Sequence, residues 1–182
     1  MAETALTILT RDYASPVGNL TLGSFQGKLC MCLISNCRTA AKTLSRIRHY
    51  SGAEVISGTD AVLEEAARQL DAYFAGRLRV FDLPLLFFGT SFQQSVWEGL
   101  TRIPCGHTLS YGDMARRIGF PRATRAVGTA VGANPLAIIV PCHRVIASSG
   151  ALGGYAGGLE MKQALLSLER STQNIFTNSN KY

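Results

Sequence analysis

Between Arg122 and Asn134 the chain reads RATRAVGTAVGAN, in which Ala123, Ala126, Gly128, Thr129, Ala130, Gly132 and Ala133 are all small. A helix made of such residues buries little apolar area and cannot anchor a core. It can bring its backbone close to another surface. The fold must therefore draw its core from elsewhere and set this segment against either a neighbouring helix or an external partner. Pro121 is a favoured first helical residue, and Gly119 closes the preceding segment SYGDMARRIG. Two short helices joined around Gly119-Phe120-Pro121 predict a helix-turn-helix. On the second helix Arg122 and Arg125, three apart, share a face from which they can reach phosphates. If the helix instead packs tightly on a neighbour, they are two solvated arginines.

The first half supplies the core. ALTILTRDYAS and NLTLGSF flank Pro16-Val17-Gly18 as a hairpin, and KLCMCLIS follows Gln26-Gly27 as a third strand. CRTAAKTLSRIRHY reads as a helix and AEVIS as a short strand. TDAVLEEAARQLDAYFAG is the clearest helix, with Val62, Leu63, Ala66, Ala67, Leu70, Tyr73 and Phe74 on one face and Gly76 as a stop. RLRVFDLPL returns as a strand that weakens at Pro84. Composition shifts near Gly89, after which SFQQSVWEGLTRI predicts a helix capped by Ser91. The expected division is residues 1–88, residues 89–170, and a polar, frayed tail over residues 171–182.

A hydrophobic share of 47% with 16% charged residues describes a globular chain rather than a disordered or fibrous one. The segment MAETALTILTRDY has no basic stretch ahead of an apolar run, so no secretory signal is expected. No apolar run approaches the roughly 18 residues of a membrane span. Five cysteines without a disulfide-like framework suit a reducing compartment, cytoplasmic or, in a eukaryote, nuclear. The net charge is +6, and between Asp113 and Glu160 there is no acidic residue, while Arg116, Arg117, Arg122, Arg125 and Arg144 fall in that gap. Such a local positive field suits a phosphate backbone.

In IVPCHRVIASSG, Cys142 follows an apolar run and precedes His143 and Arg144. A free cysteine is often a small buried hydrophobe. It is a nucleophile when neighbouring imidazole and guanidinium groups raise its thiolate fraction. Consecutive residues on an extended segment point to opposite faces, so adjacency leaves both readings open. Glu160, Glu169 and Asp113 are the carboxylates available to orient His143. Cys30 and Cys32, two apart on a strand, are expected to face one way, with Cys37 in the following turn. With His49 they lack paired metal-ligand spacing, so packing is the expected role and no metal is assigned.

PCHRVI, with RAVG, NP and GGYAGG around it, resembles the O6-alkylguanine-DNA alkyltransferases, the methylated-DNA–protein-cysteine methyltransferases, in their bacterial single-function form. The likeness is strongest from Ser91 to Glu169 and looser in the first half, through SPVGNLTL and LDAYFAGRL. It implies an α/β N-terminal domain, ribonuclease H-like with a mostly antiparallel sheet and helices. A mainly α C-terminal winged helix-turn-helix domain follows. It also implies irreversible transfer of an alkyl group from O6-alkylguanine in double-stranded DNA, with O4-alkylthymine a further candidate substrate, to Cys142 of a monomer that uses no cofactor. The base flips out through the minor groove. By the same resemblance His143 is the base, acting through a water, and Glu169 its orienting carboxylate. Asn134 is a hinge, Arg125 the finger that fills the gap, and Tyr111 a donor to guanine N3. Arg122, Ala123, Ala126 and Thr129 face the DNA, and Val145 (through its carbonyl), Tyr155, Ala156 and Gly157 form the base pocket. Ala156 stands where many members carry serine. Two rival readings share these residues: a non-catalytic helix-turn-helix sensor of alkylated DNA, and a turning-over cysteine hydrolase.

Overall fold

The structure, a computed structural model, describes residues 6–179, with side chains through residue 172. β1 (Thr7–Ser15) and β2 (Gly18–Phe25) form the expected hairpin, closing at Ser15↔Gly18 around Pro16-Val17. β3 (Lys28–Ile34) follows a tight turn at Gln26-Gly27, where both residues take positive φ (49° and 74°), the geometry that matches strand twist. α1 (Ala40–Ser51) leads to β4 (Glu54–Ser57), which pairs parallel to β1. The order is β3-β2-β1-β4, antiparallel except at that edge.

A bulge where Gly23/Ser24 of β2 meets Leu29–Met31 inserts Cys30 as an unpaired residue. The insertion shifts the alternation by one, so Cys30 and Cys32 do not face one way. Cys30 joins Ile8, Met31 and Ile47 on the α1 side, while Cys32 joins Leu20, Leu22 and Leu29 on the other.

α2 (Ala61–Phe74) covers that second face. Asp60 caps it, accepting from Leu63 N at 2.9 Å and from Ser24 Oγ at 2.5 Å. The expected strand RLRVFDLPL does not form. Pro84 has no N–H to donate, and the Gln69 side chain takes both backbone groups of Asp82, at 2.8 Å each. What remains is a single parallel bridge, Leu29↔Leu85.

α3 (Ser91–Thr101) is capped one residue earlier than expected, by Thr90 in a reciprocal capping box with Gln93. β5 (Leu109–Ser110), α4 (Tyr111–Arg117) and α5 (Thr124–Gly132) follow. Pro121 serves the turn rather than the helix: Ala123 N bonds Phe120 O at 2.9 Å, which makes Pro121 the second residue of a β-turn. Arg122 is therefore in the turn and not on α5, so the helical-spacing argument for its sharing a face with Arg125 lapses. Both are exposed. β6 (Val145–Ile146) pairs parallel to β5. α6 (Gly158–Ser179) continues through the segment expected to fray, and Thr172 on it is buried; residues 180–182 of the expected tail lie outside the described residues.

The two halves share one core. Leu20, Leu22, Leu29 and Cys32 of the sheet pack in the same cluster as Trp97, Leu100, Val127, Leu136 and Leu165. The open edge of β3 is covered by the second half too, since Cys32 N bonds Pro135 O at 2.8 Å and Ala137 N bonds Cys32 O at 2.9 Å. Arg46 of α1 reaches across, giving hydrogen bonds to Phe88 O (3.2 Å) and to Ala133 O at the end of α5 (2.7 Å). Its guanidinium lies 5.1 Å from the centre of the Trp97 ring, whose Nε1 bonds Ala130 O. Arg46→Ala removes two bonds to carbonyls and a cation–π contact, so it is expected to cost about 2–3 kcal/mol. A urea unfolding midpoint that falls at constant m-value checks this.

Candidate active site

The segment that carries Cys142 leaves α5 through Asn134. The Asn134 amide donates to Val140 O at 2.9 Å and accepts from Leu136 N at 3.0 Å, cinching the loop. Inside it Ile138 has φ +70°, and Ile139 N bonds Ala137 O at 2.8 Å, a three-residue turn that a β-branched residue adopts only under strain. An inverse turn of the low-energy hand follows at Pro141 (φ −81°, ψ 63°), where Cys142 N bonds Val140 O. The strain at Ile138 costs about 1–3 kcal/mol and is held by its surroundings. Here those are the fully buried Ile138 side chain and the Asn134 clasp.

Cys142, His143 and Arg144 form one 3₁₀ turn, so they radiate rather than alternate. Cys142 is 7% exposed and lines a cleft of about 540 Å³ together with Tyr111, Asn134, Gly128, Tyr155 and Ala156. Its thiol is therefore buried yet reached through an opening beside α5. His143 is fully buried, and its Nε2 meets Glu169 Oε1 at 2.7 Å. Of the three carboxylates available, Glu169 on α6 is thus the one that orients it. With Nε2–H donating to the carboxylate, Nδ1 is the acceptor, and it has no hydrogen-bond partner among the described residues.

Arg144 does not join the positive surface expected from the arginine-rich gap. It is 5% exposed, bonded through Nε and Nη2 to Glu169 and through Nη1 to Ile103 O. Nor does its guanidinium serve the thiol. The cation that acts on Cys142 is Lys162 of α6, fully buried and bonded to Val145 O at 2.7 Å and to Leu152 O. Lys162 has no ion-pair partner among the described residues, so its charge is offset only by carbonyl dipoles.

Burial pushes the Cys142 thiol up, against the Asn134 amide, the Lys162 charge and backbone N–H groups that pull it down. The neighbours thus moderate the thiol without holding it ionised in the free protein. Burial also pushes His143 down, so the ring is neutral at pH 7. Burial alone raises the Glu169 pKa, but hydrogen bonds and charges from His143 and Arg144 outweigh it and hold the carboxyl well below the usual range.

Tyr111, at the start of α4, stands in the cleft wall with Gly128 behind it and Gly153 at its hydroxyl. Burial keeps its phenol protonated. Gly153, at φ +68°, takes a conformation that favours glycine, and a Cβ there would press on that hydroxyl at 3.1 Å. Tyr155 and Ala156 are in the same wall. Gly157 lies behind it against Met161 and Ile34, and Val145 is buried with its carbonyl on Lys162. Arg125, Ala126 and Thr129 are exposed on α5 and Ala123 is half-buried at its cap; Val127, Ala130 and Val131 face the core. Sequence reasoning missed Lys162, Tyr73 and the rim residues Arg38 and Thr39. For Lys162, a cation on a face shared with Met161 and Leu165 was the available signal.

The fold and the cleft define a two-part helix-turn-helix protein with a thiol at the foot of a cleft beside its second helix. Two family models match it: the ribonuclease-like domain of 6-O-methylguanine DNA methyltransferase over residues 8–87, and the DNA binding domain of the same proteins over residues 91–171. The chain belongs to the 6-O-methylguanine DNA methyltransferase family. It is 48% identical over 163 residues to the methylated-DNA–protein-cysteine methyltransferase of Mycobacterium tuberculosis, covering 88% of this chain and 92% of that one. It is 59% identical over 107 residues to that of Methanosarcina acetivorans, covering 59% and 69%. The crystal structure of Mycobacterium tuberculosis OGT in complex with DNA superposes with a TM-score of 0.76 at 44% identity, covering 92% of this chain and 94% of that one. Among the described residues no helix is long and apolar enough to cross a membrane, and no cluster of His, Cys, Asp or Glu could hold a metal.

Glu169→Gln strands the Arg144 charge in the interior and is expected to cost about 3–5 kcal/mol. Because the folded carboxyl sits below its ordinary value of 4.5, its stabilisation is complete above that pH and is lost as pH falls through and below it. Unfolding midpoints measured from pH 7 to pH 3 should drop steeply below about 4.5 in the wild type and less steeply in the variant.

Proposed function

We propose that this chain repairs DNA directly, moving the alkyl group of O6-alkylguanine to its own Cys142 in one irreversible turnover. It acts as a monomer on duplex DNA in the cytoplasm. The observation that carries the reading is the thiol at the foot of a cleft that opens beside the exposed face of α5. An O6 substituent lies within the base stack, so reaching that thiol requires flipping the nucleotide out, which costs a few kcal/mol and least where pairing is already poor. The small exposed residues Ala126 and Thr129 let α5 approach a narrow groove closely, with Ala123 at its cap and Arg122 in the turn before it. Arg125, exposed on the same helix, fills the gap left in the stack.

In the cleft the Cys142 proton passes through a water to His143 Nδ1, and Glu169 stabilises the imidazolium that forms. Lys162 offsets the charge on sulfur as it develops. The sulfur attacks the alkyl carbon, a carbon–sulfur bond forms and the bond to O6 breaks, leaving its electron pair on guanine. Tyr111, held protonated, donates to guanine N3 and neutralises that charge. Ala156 offers only a backbone N–H toward O6. The product thioether has no acyl centre for water, so no second turnover follows.

Incubating excess protein with a duplex that bears O6-methylguanine, then weighing the Cys142 peptide, tests the reading. One methyl per protein is expected; none points to a sensor, and free product exceeding protein to a hydrolase. Cys142→Ala should abolish transfer while binding of the damaged duplex stays within about threefold, because phosphate contacts position the protein. Arg125→Ala should slow transfer about tenfold at well-paired sites and far less at mismatched ones, where extrusion is already cheap; single-turnover rates on paired and mismatched duplexes decide this.

A further inference from the structure

We propose that Tyr73, on the N-terminal half, is a positioning residue of the transfer site: its phenol shares the carboxylate oxygen that holds His143 and so sets how strongly that oxygen draws the ring's proton. The inference rests on the function proposed above, in which His143 takes the thiol proton.

Glu169 Oε1 receives Tyr73 Oη at 2.8 Å, His143 Nε2 at 2.7 Å and Arg144 Nη2 at 2.8 Å; Arg144 Nε reaches both Oε1 (3.2 Å) and Oε2 (2.9 Å), and Gly106 N reaches Oε2. A carboxylate oxygen has two lone pairs. Donors from three residues on one oxygen therefore compete for its density, and each weakens the others. Tyr73 is the donor that comes from the first half, 96 residues away in the chain. It is 2% exposed, and its ring is fixed against Phe74 and Phe81 with centroids 5.3 Å away in each case. Burial, the Glu169 charge and the hydrogen bond all keep its phenol protonated, so it remains a donor wherever the protein is folded.

Around this oxygen the other ionisable groups are Arg144 and His143 of the 3₁₀ turn, Lys162 of α6, and Cys105 after α3, with Arg79 beside Cys105. Arg144 and Lys162 disfavour a charged His143; Glu169 favours it. Tyr73 blunts the one attractive partner. Removing its hydroxyl returns negative density to Oε1, stabilises the imidazolium and shifts His143 titration to higher pH. The neutral base is then lost earlier as pH falls.

The test is Tyr73→Phe, which keeps the ring and deletes the donor. Two readouts are taken: the imidazole titration of His143 by NMR in the free protein, and single-turnover methyl transfer from an O6-methylguanine duplex against pH. The expected result is a His143 titration moved up in pH, with transfer at pH 6 reduced about threefold or more and at pH 8 within about twofold of wild type. An unmoved titration together with one rate ratio at every pH overturns the proposal and leaves Tyr73 a packing residue. If the variant does not fold, 3-fluorotyrosine at position 73, a stronger donor of similar size, should move the titration down, and no movement overturns the proposal. A wild-type protein that transfers no methyl at any pH refutes the function proposed above, while the titration still decides the role of Tyr73.

Discussion

A carboxylate removed from water must be met by donors on every side, and the burial of Glu169 imposes that demand on three parts of the chain. α2 supplies a phenol, the turn after α3 a backbone N–H, and the 3₁₀ turn an imidazole and a guanidinium. None can shift without exposing a charge in the interior, where leaving one partner unpaired is the expensive outcome. The His143 ring is therefore fixed in one orientation, with Nε2 engaged and Nδ1 open. Arg144, which follows directly in sequence, closes the carboxylate from the other side and ties it to Ile103.

The second constraint is the loop between α5 and Cys142. A β-branched residue at positive φ is a conformation that a free peptide leaves. It persists because Asn134 clasps the loop from within and the edge of β3 bonds it from outside. The small residues of α5 complete the arrangement. They bury little themselves, and α5 is held by Trp97 and Arg46, both bonded to carbonyls near its end.

Much of this was legible from sequence, and the failures share a cause. The strands of the first sheet, α1 to α3 and the helix-turn-helix follow from periodicity and from Gly and Pro, which act locally, whereas α6 was not read from the sequence. Cys30 was misread because a bulge is set by the partner strand, not by the residue itself. RLRVFDLPL has a strand's pattern, but a glutamine from another element satisfies its backbone first. Pro121 fits a helix start and a turn equally well, and only the Phe120–Ala123 bond decides. Arg144 was counted as surface charge because nothing nearby in the chain announces a carboxylate 25 residues on. Lys162 and Tyr73 went unseen at the site for the same reason, since each sits in an ordinary helical pattern and its role lies in what tertiary packing brings to its tip.

The apolar cluster that runs without a break from the sheet through Trp97 to α6 has a mechanical consequence. Halves that interdigitate in this way cannot part without opening the shared core to water, so the walls that Ile34 and α5 give the cleft are tied to a single apolar body.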